Sequence, residues 1–447
     1  MQPRFIYIET FGCTANQNNS EILAGLIRQS GLEITTNPDI ADLLIINTCI
    51  VKSPTEKKIE RKVFDLLKNY PDKPIIIAGC MPEVRAEKLR RKNIYLLGTH
   101  HFKDILKLIK KISENSYEEK EFLSEKNEIK LCLPKIPEIK KIGITQISEG
   151  CNGFCSFCIV RLVKGKLFSY PQEKILENIE NDLKSGAKEI WITSQDNATY
   201  GLDERFHEAK YGIESASGVA SKGKRKLPEL MRKILQLKGK FRVRLGMMNP
   251  ENVLPILNEL IEIYKNEKIY KFLHVPLQSG SNKILKLMNR KYTIEDFLKI
   301  IGKFRKQIPN LTLATDIIVA YPQETEQDFQ ETLNLIKKIK PDVLNVSKYW
   351  AMKGTPASKE KQIPKEIAKS RAIKLMQEYK KISAEKNKNY LEKETKVFVY
   401  DKFQNHYLAR TENYKLVLIQ SDKNYLGKFV NVKIIGMEKN HLVGEII

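Results

Sequence analysis

The sequence predicts an α/β fold in three parts: an N-terminal parallel-sheet α/β domain, a central partial (βα)6 barrel and a small C-terminal antiparallel β-barrel. Three observations predict it. Short apolar runs alternate with amphipathic helical stretches from residue 4 to about residue 348, the pattern that builds parallel sheets. A polar, Lys/Glu-rich stretch interrupts that alternation once. Beyond residue 393 the hydrophobic period changes to two, as strands with one buried face require. The boundaries read from these changes are 1–112 for the first domain, 113–137 for a linker, 138–380 for the barrel and 385–447 for the C-terminal domain.

In the first domain, apolar runs at 4–9, 42–46 and 74–78 read as strands, with helical patterns at 20–29 and 53–68 between them. Each run leads into a cysteine: Cys13, Cys49 and Cys80. In parallel α/β sheets, ligands bind at the carboxyl ends of the strands. One cysteine at a strand end is ordinarily a small buried residue. Three at equivalent ends, about one βα unit apart, predict thiols that meet in space and hold a metal cluster with an open position. His100 and His101 stand near a helix start and read as structural. Cys132, in the linker, reads as a bystander.

The barrel strands are expected at 142–147, 189–193, 241–245, 272–275, 312–319 and 343–348, with helices such as 171–184 and 324–339 between them. Barrels of this kind place their chemistry at the C-terminal ends of the strands. After the first strand comes Gly150-Cys151-Asn152-Gly153-Phe154-Cys155-Ser156-Phe157-Cys158. Cys151, Cys155 and Cys158 are three local thiols without an obvious fourth, which fits an iron–sulfur cube with one iron left open. Three sulfurs and a water on zinc is the rival, although no histidine lies within forty residues on either side. Inert thiols are the plain alternative. Ser194 and Gln195 follow the second strand, Arg244 ends the third, Gln278 follows the fourth and Asp316 lies in the fifth. Around a barrel mouth these would grip a polar, nucleotide-like ligand. Phe157 either packs on a flat ring of that ligand or is simply buried. Residues 203–226 have loop composition and read as a basic insertion able to touch RNA.

The connector over 353–393 carries twelve Lys and Arg against five Asp and Glu. Strands at 396–400, 416–419, 428–434 and 442–446 then make a small barrel of a kind that often binds single-stranded nucleic acid. Tyr407, Arg410 and Tyr414 offer stacking and phosphate contacts; a purely structural cap is the alternative. The formal charge of +23 over 447 residues fits a polyanionic partner or a solvated Lys-rich surface, and the basic connector beside an aromatic-bearing barrel favours RNA. Seven cysteines, an odd number, with no leader before the first strand-like run, predict ligands rather than disulfides and a cytoplasmic setting. No apolar run is long enough to span a bilayer.

These motifs together resemble the methylthiotransferase family of radical-SAM enzymes, from end to end. The cysteine trio followed by Ile159-Val160-Arg161 and Lys164-Gly165-Lys166 carries the likeness in the barrel. Within the family, the stretches 47–56, 193–201, 246–250 and 409–415 are similar to the archaeal and eukaryotic branch that modifies N6-threonylcarbamoyladenosine in tRNA. Lys164 departs from the pattern, which usually has arginine there, and Met352-Lys353 departs from Arg-Pro. The resemblance implies two four-iron, four-sulfur clusters, on Cys13, Cys49 and Cys80 and on Cys151, Cys155 and Cys158. It implies S-adenosylmethionine as radical source and methyl donor, and a C-terminal TRAM domain on RNA. C2 of the adenine carries a hydrogen that no side-chain base can remove, whereas a carbon radical can; a closed barrel mouth shields such a radical. No side-chain acid or base is needed. A flavodoxin- or ferredoxin-like electron donor and a monomer complete the expectation. The same chemistry on isopentenyladenosine or on a ribosomal protein, and an RNA-binding protein with structural or redox-sensing clusters, are the competing readings.

Overall fold

The computed structural model describes residues 3–50, 53–114, 120–203, 224–438 and 441–447. The insertion expected over 203–226 therefore lies outside the described residues except at its flanks, as do residues 51 and 52 of the stretch 47–56. The chain forms two compact units: Met1–Glu138, Ile144–Gly153 and Cys158–Asn178 in the first, and Ile139–Gly143, Phe154–Phe157 and Ile179–Ile447 in the second.

The first unit is built on a six-stranded sheet. Its strands are β1 (Phe5–Thr10), β2 (Glu33–Thr35), β3 (Leu43–Thr48), β4 (Ile75–Gly79), β5 (Ile94–Gly98) and β6 (Glu121–Phe122), in the spatial order β2-β1-β3-β4-β5-β6. Every strand pairing in it is parallel among the described residues. β3 and β4 are buried at every position, which is why they read as unbroken apolar runs. Helices Thr14–Gln29, Ser53–Asn69, Cys80–Leu89 and Ile105–Ser113 connect and flank the strands. The register pairs Thr10 with Asn47, Thr48 with Gly79, and Gly79 with Gly98. The carboxyl ends that lead to the three cysteines are thus level. Three strands lie beyond the expected set: β2 and β6 are edge pieces of three and two residues, β6 falling in the stretch read as a linker, and β5 is a fully buried strand of five. β5 leads into Thr99 rather than a cysteine.

β7 (Ile142–Gln146), whose residues divide between the two units, belongs to a sheet ordered β11-β10-β7 with β10 (Glu189–Thr193) and β11 (Arg242–Leu245) of the second unit; β12 (Phe272–His274), β13 (Thr312–Val319) and β14 (Val343–Lys348), also of the second unit, form another, ordered β12-β13-β14. β8 (Ser148–Glu149) and β9 (Phe168–Ser169) make a small hairpin-like pair in the first unit. A parallel bridge between Val243 and Ile269 joins β11 to the approach to β12, so the six strands run as an open barrel. On one face sit Ile190, Ile192, Val243, Leu245, Leu273 and Leu313, each almost fully buried. The other face carries Glu189, Trp191, Arg244, Phe272, His274, Ala314 and Asp316, brought level by the pairings of Trp191 with Arg244 and His274 with Ala314. The aliphatic face is covered by helices, and the polar and aromatic face is the inner one.

The C-terminal strands β15 (Glu394–Phe403), β16 (His406–Thr411), β17 (Leu416–Gln420), β18 (Phe429–Met437) and β19 (Leu442–Ile446) close into a barrel ordered β15-β16-β17-β19-β18. It is antiparallel apart from the β17–β19 pair, which is parallel. β16, missed as a strand, alternates half-buried and buried residues from His406 to Thr411.

That alternation corrects the RNA contacts expected of Tyr407, Arg410 and Tyr414. Tyr407 is 3% exposed and belongs to the barrel core. Arg410 points the opposite way, and its Nε lies 3.3 Å from a Glu189 carboxylate that is itself fully buried. Its guanidinium stacks 4.1 Å from the Tyr414 ring and 4.4 Å from Tyr400. Tyr414 contacts Tyr270 and Phe272, each at 4.8 Å between ring centroids. Asn413 Nδ2 donates to the Asn310 carbonyl, and Lys271 N–H to that of Glu412. The segment therefore docks the small barrel against the N-terminal ends of β10, β12 and β13. Glu189 also accepts hydrogen bonds from Trp191 Nε1 and Tyr270 OH, so its charge is held by three partners. Removing Arg410 leaves that carboxylate buried without its cation, which costs about 3–5 kcal/mol. Arg410→Met should lower the urea midpoint accordingly, and adding Glu189→Gln should recover most of the loss. Equal midpoints for wild type and Arg410→Met would contradict this docking.

Candidate active site

In the first unit, three loops bring three thiols to one edge. Cys13 caps the N-terminus of helix Thr14–Gln29, Cys49 follows β3, and Cys80 opens helix Cys80–Leu89 directly after Gly79. Gly12 has φ +124°, and a Cβ there would stand 2.7 Å from the Cys49 Cβ and 3.2 Å from its Sγ; only glycine allows that approach. Asn16 ties the loops together. Its Nδ2 donates to the carbonyls of Phe11 (2.9 Å) and Thr48 (2.8 Å), and its Oδ1 accepts from Cys80 Sγ at 3.8 Å. Asn47 in turn donates to the Asn16 carbonyl and to Ser20 Oγ. Burial pushes the Cys80 thiol up to about 12, with nearby Cys49 and Cys13 adding to the rise and Lys164 opposing it.

Beside these thiols lies a buried charge cluster. Lys130 Nζ donates to Glu149 Oε1 at 2.8 Å and to the Thr99 carbonyl at 2.5 Å. Lys164 Nζ donates to the same Oε1 at 3.3 Å and to Thr99 Oγ1. All three charged side chains are at most 5% exposed. Burial works against the Lys164 ammonium, but Cys80 and Glu149, then Cys13, outweigh it and hold its pKa above the ordinary lysine value. The helix Val160–Lys164 packs on the helix that begins with Cys80. His101 bonds Asp104 at 3.0 Å and Ser124 at 2.8 Å, the structural role expected of it. Burial lowers the His100 pKa to about 4.

The second cysteine loop is anchored at both ends, each within its own unit. In the first, Cys151 N–H donates to the Gly165 carbonyl at 3.1 Å, and Gly153 N–H to Cys151 Sγ at 3.2 Å. Gly150 has φ +73°, and a Cβ there would run into the Lys166 carbonyl. In the second unit, the turn Leu287–Arg290 clamps the segment 154–157 at four points. Ser156 N–H donates to the Met288 carbonyl (3.1 Å) and its Oγ to that of Leu287 (2.8 Å). Asn289 Nδ2 donates to the Phe154 carbonyl (2.7 Å), and Arg290 Nη1 to Cys155 Sγ (3.1 Å). Phe157 packs, half-buried, on the apolar group of Ile284, Met288, Tyr321 and Ala357.

The other expected ligand-binding residues all lie in the second unit. Ser194 Oγ and Gln195 Oε1 are buried atoms with no hydrogen-bond partner among the described residues. Asp316 accepts from His274 Nε2 at 2.8 Å and Asn345 Nδ2 at 2.7 Å. Gln278 has φ +69° and joins β13 through its backbone, donating to the Asp316 carbonyl. Arg244 sits deeper, its guanidinium 5.2–5.5 Å from the rings of Trp191, Phe272 and Tyr414, which corrects its expected place at the mouth. Arg290, Asn249 and Asp196 were not expected to act together. They form a chain from Cys155: Arg290 Nη2 donates to Asn249 Oδ1 (2.6 Å), and Asn249 Nδ2 to Asp196 Oδ2 (2.8 Å).

Comparison with known proteins decides the class. The Radical SAM superfamily pattern matches residues 145–336, the Uncharacterized protein family UPF0004 pattern residues 5–98, and the TRAM domain pattern residues 399–447. The chain is 38% identical to a "Probable threonylcarbamoyladenosine tRNA methylthiotransferase" of Pyrococcus horikoshii, over 88% of each chain, and 39% identical to one so named from Methanocaldococcus jannaschii, over 89% of this chain and 87% of the relative. The chain belongs to the radical-SAM methylthiotransferase family. A "tRNA-2-methylthio-N(6)-dimethylallyladenosine synthase" of Petrotoga mobilis is 36% identical over 91% of each chain. Among solved structures, the radical S-adenosylmethionine methyltransferase TsrM of Kitasatospora setae shares the fold with a TM-score of 0.54 at 12% identity, over 79% of this chain and 74% of that one. The cobalamin-dependent radical enzyme OxsB does so with 0.52 at 13% identity, over 86% and 56%.

Membership implies a four-iron, four-sulfur cluster and S-adenosylmethionine. Among the described residues, no three His, Cys, Asp or Glu side chains close around one point as ligands of a single ion; a cube spreads its thiolates over several irons. The unpartnered Ser194 and Gln195 oxygens fit a polar ligand, since buried polar atoms otherwise find partners. No sequence motif marks Arg290, and Lys164 stands out in the sequence only as a departure from the family's arginine; the contacts of both come from folding.

Asp196, 2% exposed, titrates at about 6 rather than 3.8 because burial outweighs the hydrogen bonds donated by Asn252, Asn249 and Ala198. Its folded pKa is raised, so its contribution to stability is full below pH 3.8 and lost as pH rises through 6. Between pH 4 and 7 the unfolding free energy of wild type should fall relative to Asp196→Asn by up to about 3 kcal/mol. Parallel pH profiles for the two proteins would contradict it.

Proposed function

We propose that this chain adds a methylthio group to C2 of N6-threonylcarbamoyladenosine next to the anticodon of tRNA. The observation that carries the reaction type is the buried charge beside the first thiol trio. Two ammonium groups, Lys130 and Lys164, face one ionised carboxylate, Glu149. Glu83, which burial pushes up to about 7, supplies part of the difference, and Glu128, which also pairs with Lys126 at 3.6 Å, acts on Lys130 as well. Buried charge is costly without a counter-charge, and neutral thiols provide none. Cys13, Cys49 and Cys80 holding a second four-iron, four-sulfur cluster as thiolates would provide it. The substrate is carried by the archaeal relatives, whose names specify threonylcarbamoyladenosine at 38–39% identity over nearly the whole chain.

In this reading Cys151, Cys155 and Cys158 hold the cluster that binds S-adenosylmethionine. When bound, the two clusters and S-adenosylmethionine supply the electron, the radical and the sulfur that no side chain of this protein can. The residues themselves bind and position. Ser194 and Gln195 offer their free oxygens to S-adenosylmethionine. Asp316, held by His274 and Asn345, offers a fixed carboxylate on the inner face. Gln278 keeps that strand in register, and Phe157 stiffens the cysteine loop. Arg244 supports the barrel interior from below. RNA contact then falls to surfaces other than Tyr407, Arg410 and Tyr414, with the Lys-rich helix Lys365–Lys388 the first candidate. A flavodoxin- or ferredoxin-like protein delivers the electron in the cytoplasm, to a monomer.

The Petrotoga relative favours isopentenyl-type adenosine as the second reading. Reconstituted protein, reductant and S-adenosylmethionine should be given anticodon stem-loops bearing either nucleoside. Mass spectrometry should find the methylthio group on threonylcarbamoyladenosine, together with 5′-deoxyadenosine. Methylthiolation confined to isopentenyladenosine would overturn the substrate, and no 5′-deoxyadenosine would overturn the reaction.

A further inference from the structure

The thiol of Cys155 has a partner that the reaction type alone does not call for. Arg290 is 7% exposed. Among the described residues its Nε has no hydrogen-bond partner, and the Glu251 carboxylate acts on its charge without a direct hydrogen bond to it. One face of the guanidinium lies 5.0 Å from the Tyr292 ring. Its two arms are both spent: Nη1 on Cys155 Sγ at 3.1 Å, Nη2 on Asn249 Oδ1 at 2.6 Å. A buried guanidinium needs negative charge near it; Tyr292 and the Glu251 carboxylate favour its charge, and the Cys155 sulfur, which it hydrogen-bonds directly, does so as well.

The second arm leads to the barrel mouth. Asn249 donates through Nδ2 to Asp196 Oδ2 (2.8 Å) and through its backbone N–H to Oδ1 (3.2 Å). Asn252 Nδ2 donates to the same Oδ2 at 2.8 Å. Asp196 also accepts from Ala198 N–H at 3.1 Å, which shapes the turn directly after Ser194 and Gln195. An arginine can serve both ends because its fork is planar and rigid; a lysine reaches one.

We propose that Arg290 is a positioning residue with two linked effects: its N–H on the Cys155 sulfur raises the reduction potential of the S-adenosylmethionine-binding cluster, and its tie to Asn249 holds the Ser194–Asp196 turn in register with that sulfur. The inference rests on Cys155 being a ligand of that cluster. Hydrogen bonds to ligand sulfurs and nearby positive charge are established determinants of cluster potential. Both stabilise the form with one more electron. Reduction adds one electron from an external donor, and no bond at the cysteine forms or breaks.

The test is a redox titration of the full chain, reconstituted with iron and sulfide and reduced with dithionite, followed by electron paramagnetic resonance. The signal that changes on adding S-adenosylmethionine identifies the cluster concerned. In Arg290→Gln its midpoint should move to a more negative potential, and S-adenosylmethionine should bind about tenfold more weakly, for the loss of one buried charge-assisted tie. In Arg290→Lys the charge stays and Asn249 loses its partner, so the midpoint should return most of the way while weak binding persists. A midpoint unmoved in Arg290→Gln at wild-type iron content would overturn the inference while leaving the ligand reading intact. If Arg290→Gln fails to take up iron, an Arg290→Lys protein with wild-type binding of S-adenosylmethionine would overturn it instead. A wild-type protein with iron but no responsive signal would overturn the ligand reading and the inference with it.

Discussion

Parallel register in the first sheet is the constraint from which the rest follows. Thr10, Asn47, Thr48 and Gly79 stand level through the pairings of β1, β3 and β4. Cys13, Cys49 and Cys80 come off those level ends, so their meeting is a property of the sheet. A one-residue slip would turn β3 and β4 over and send the cysteine loops to different heights. Both strands are buried at every position, so their register is tied to packing on both faces.

Once the thiols are brought together, buried charge becomes tolerable near them. Lys130, Lys164 and Glu149 lie beside one set, and Arg290 touches a member of the other. Each of these cations would be a liability in an ordinary core. The contrast within the same chain is Arg410, whose partner is the carboxylate of Glu189 and whose work is to dock the C-terminal barrel. Arg410, paired with a carboxylate far from any cysteine in the sequence, marks architecture, whereas Lys164 shares Glu149 with Lys130 and also feels the Cys80 thiol. The two beside cysteines, Lys164 and Arg290, mark chemistry.

The alternating pattern made β1, β3 and β4 of the sheet and most of the barrel strands legible, and the cysteine spacing drew attention to both trios, because periodicity and strand-end placement are local properties; β2, β5 and β6 went unread. Glu189–Thr193 and Thr312–Val319 stand where the apolar runs put them. What stayed hidden depends on distant residues meeting. Tyr407 and Arg410 alternate on one short strand, and only the closure of the barrel decides which faces inward. Arg244 ends its strand in sequence, yet Tyr414, 170 positions later, determines what surrounds it. Arg290 and Cys155 are separated by 135 residues, and nothing local in Met288-Asn289-Arg290 announces a sulfur partner.

The central claim is that each trio of cysteines holds its own iron–sulfur cube. Iron and acid-labile sulfide per chain test it most directly, measured on reconstituted wild type, on Cys13→Ala/Cys49→Ala/Cys80→Ala and on Cys151→Ala/Cys155→Ala/Cys158→Ala. Wild type should hold about eight of each and either triple variant about four, as two four-iron cubes require. A wild type saturating at about four, or a triple variant that keeps the full complement, would contradict it.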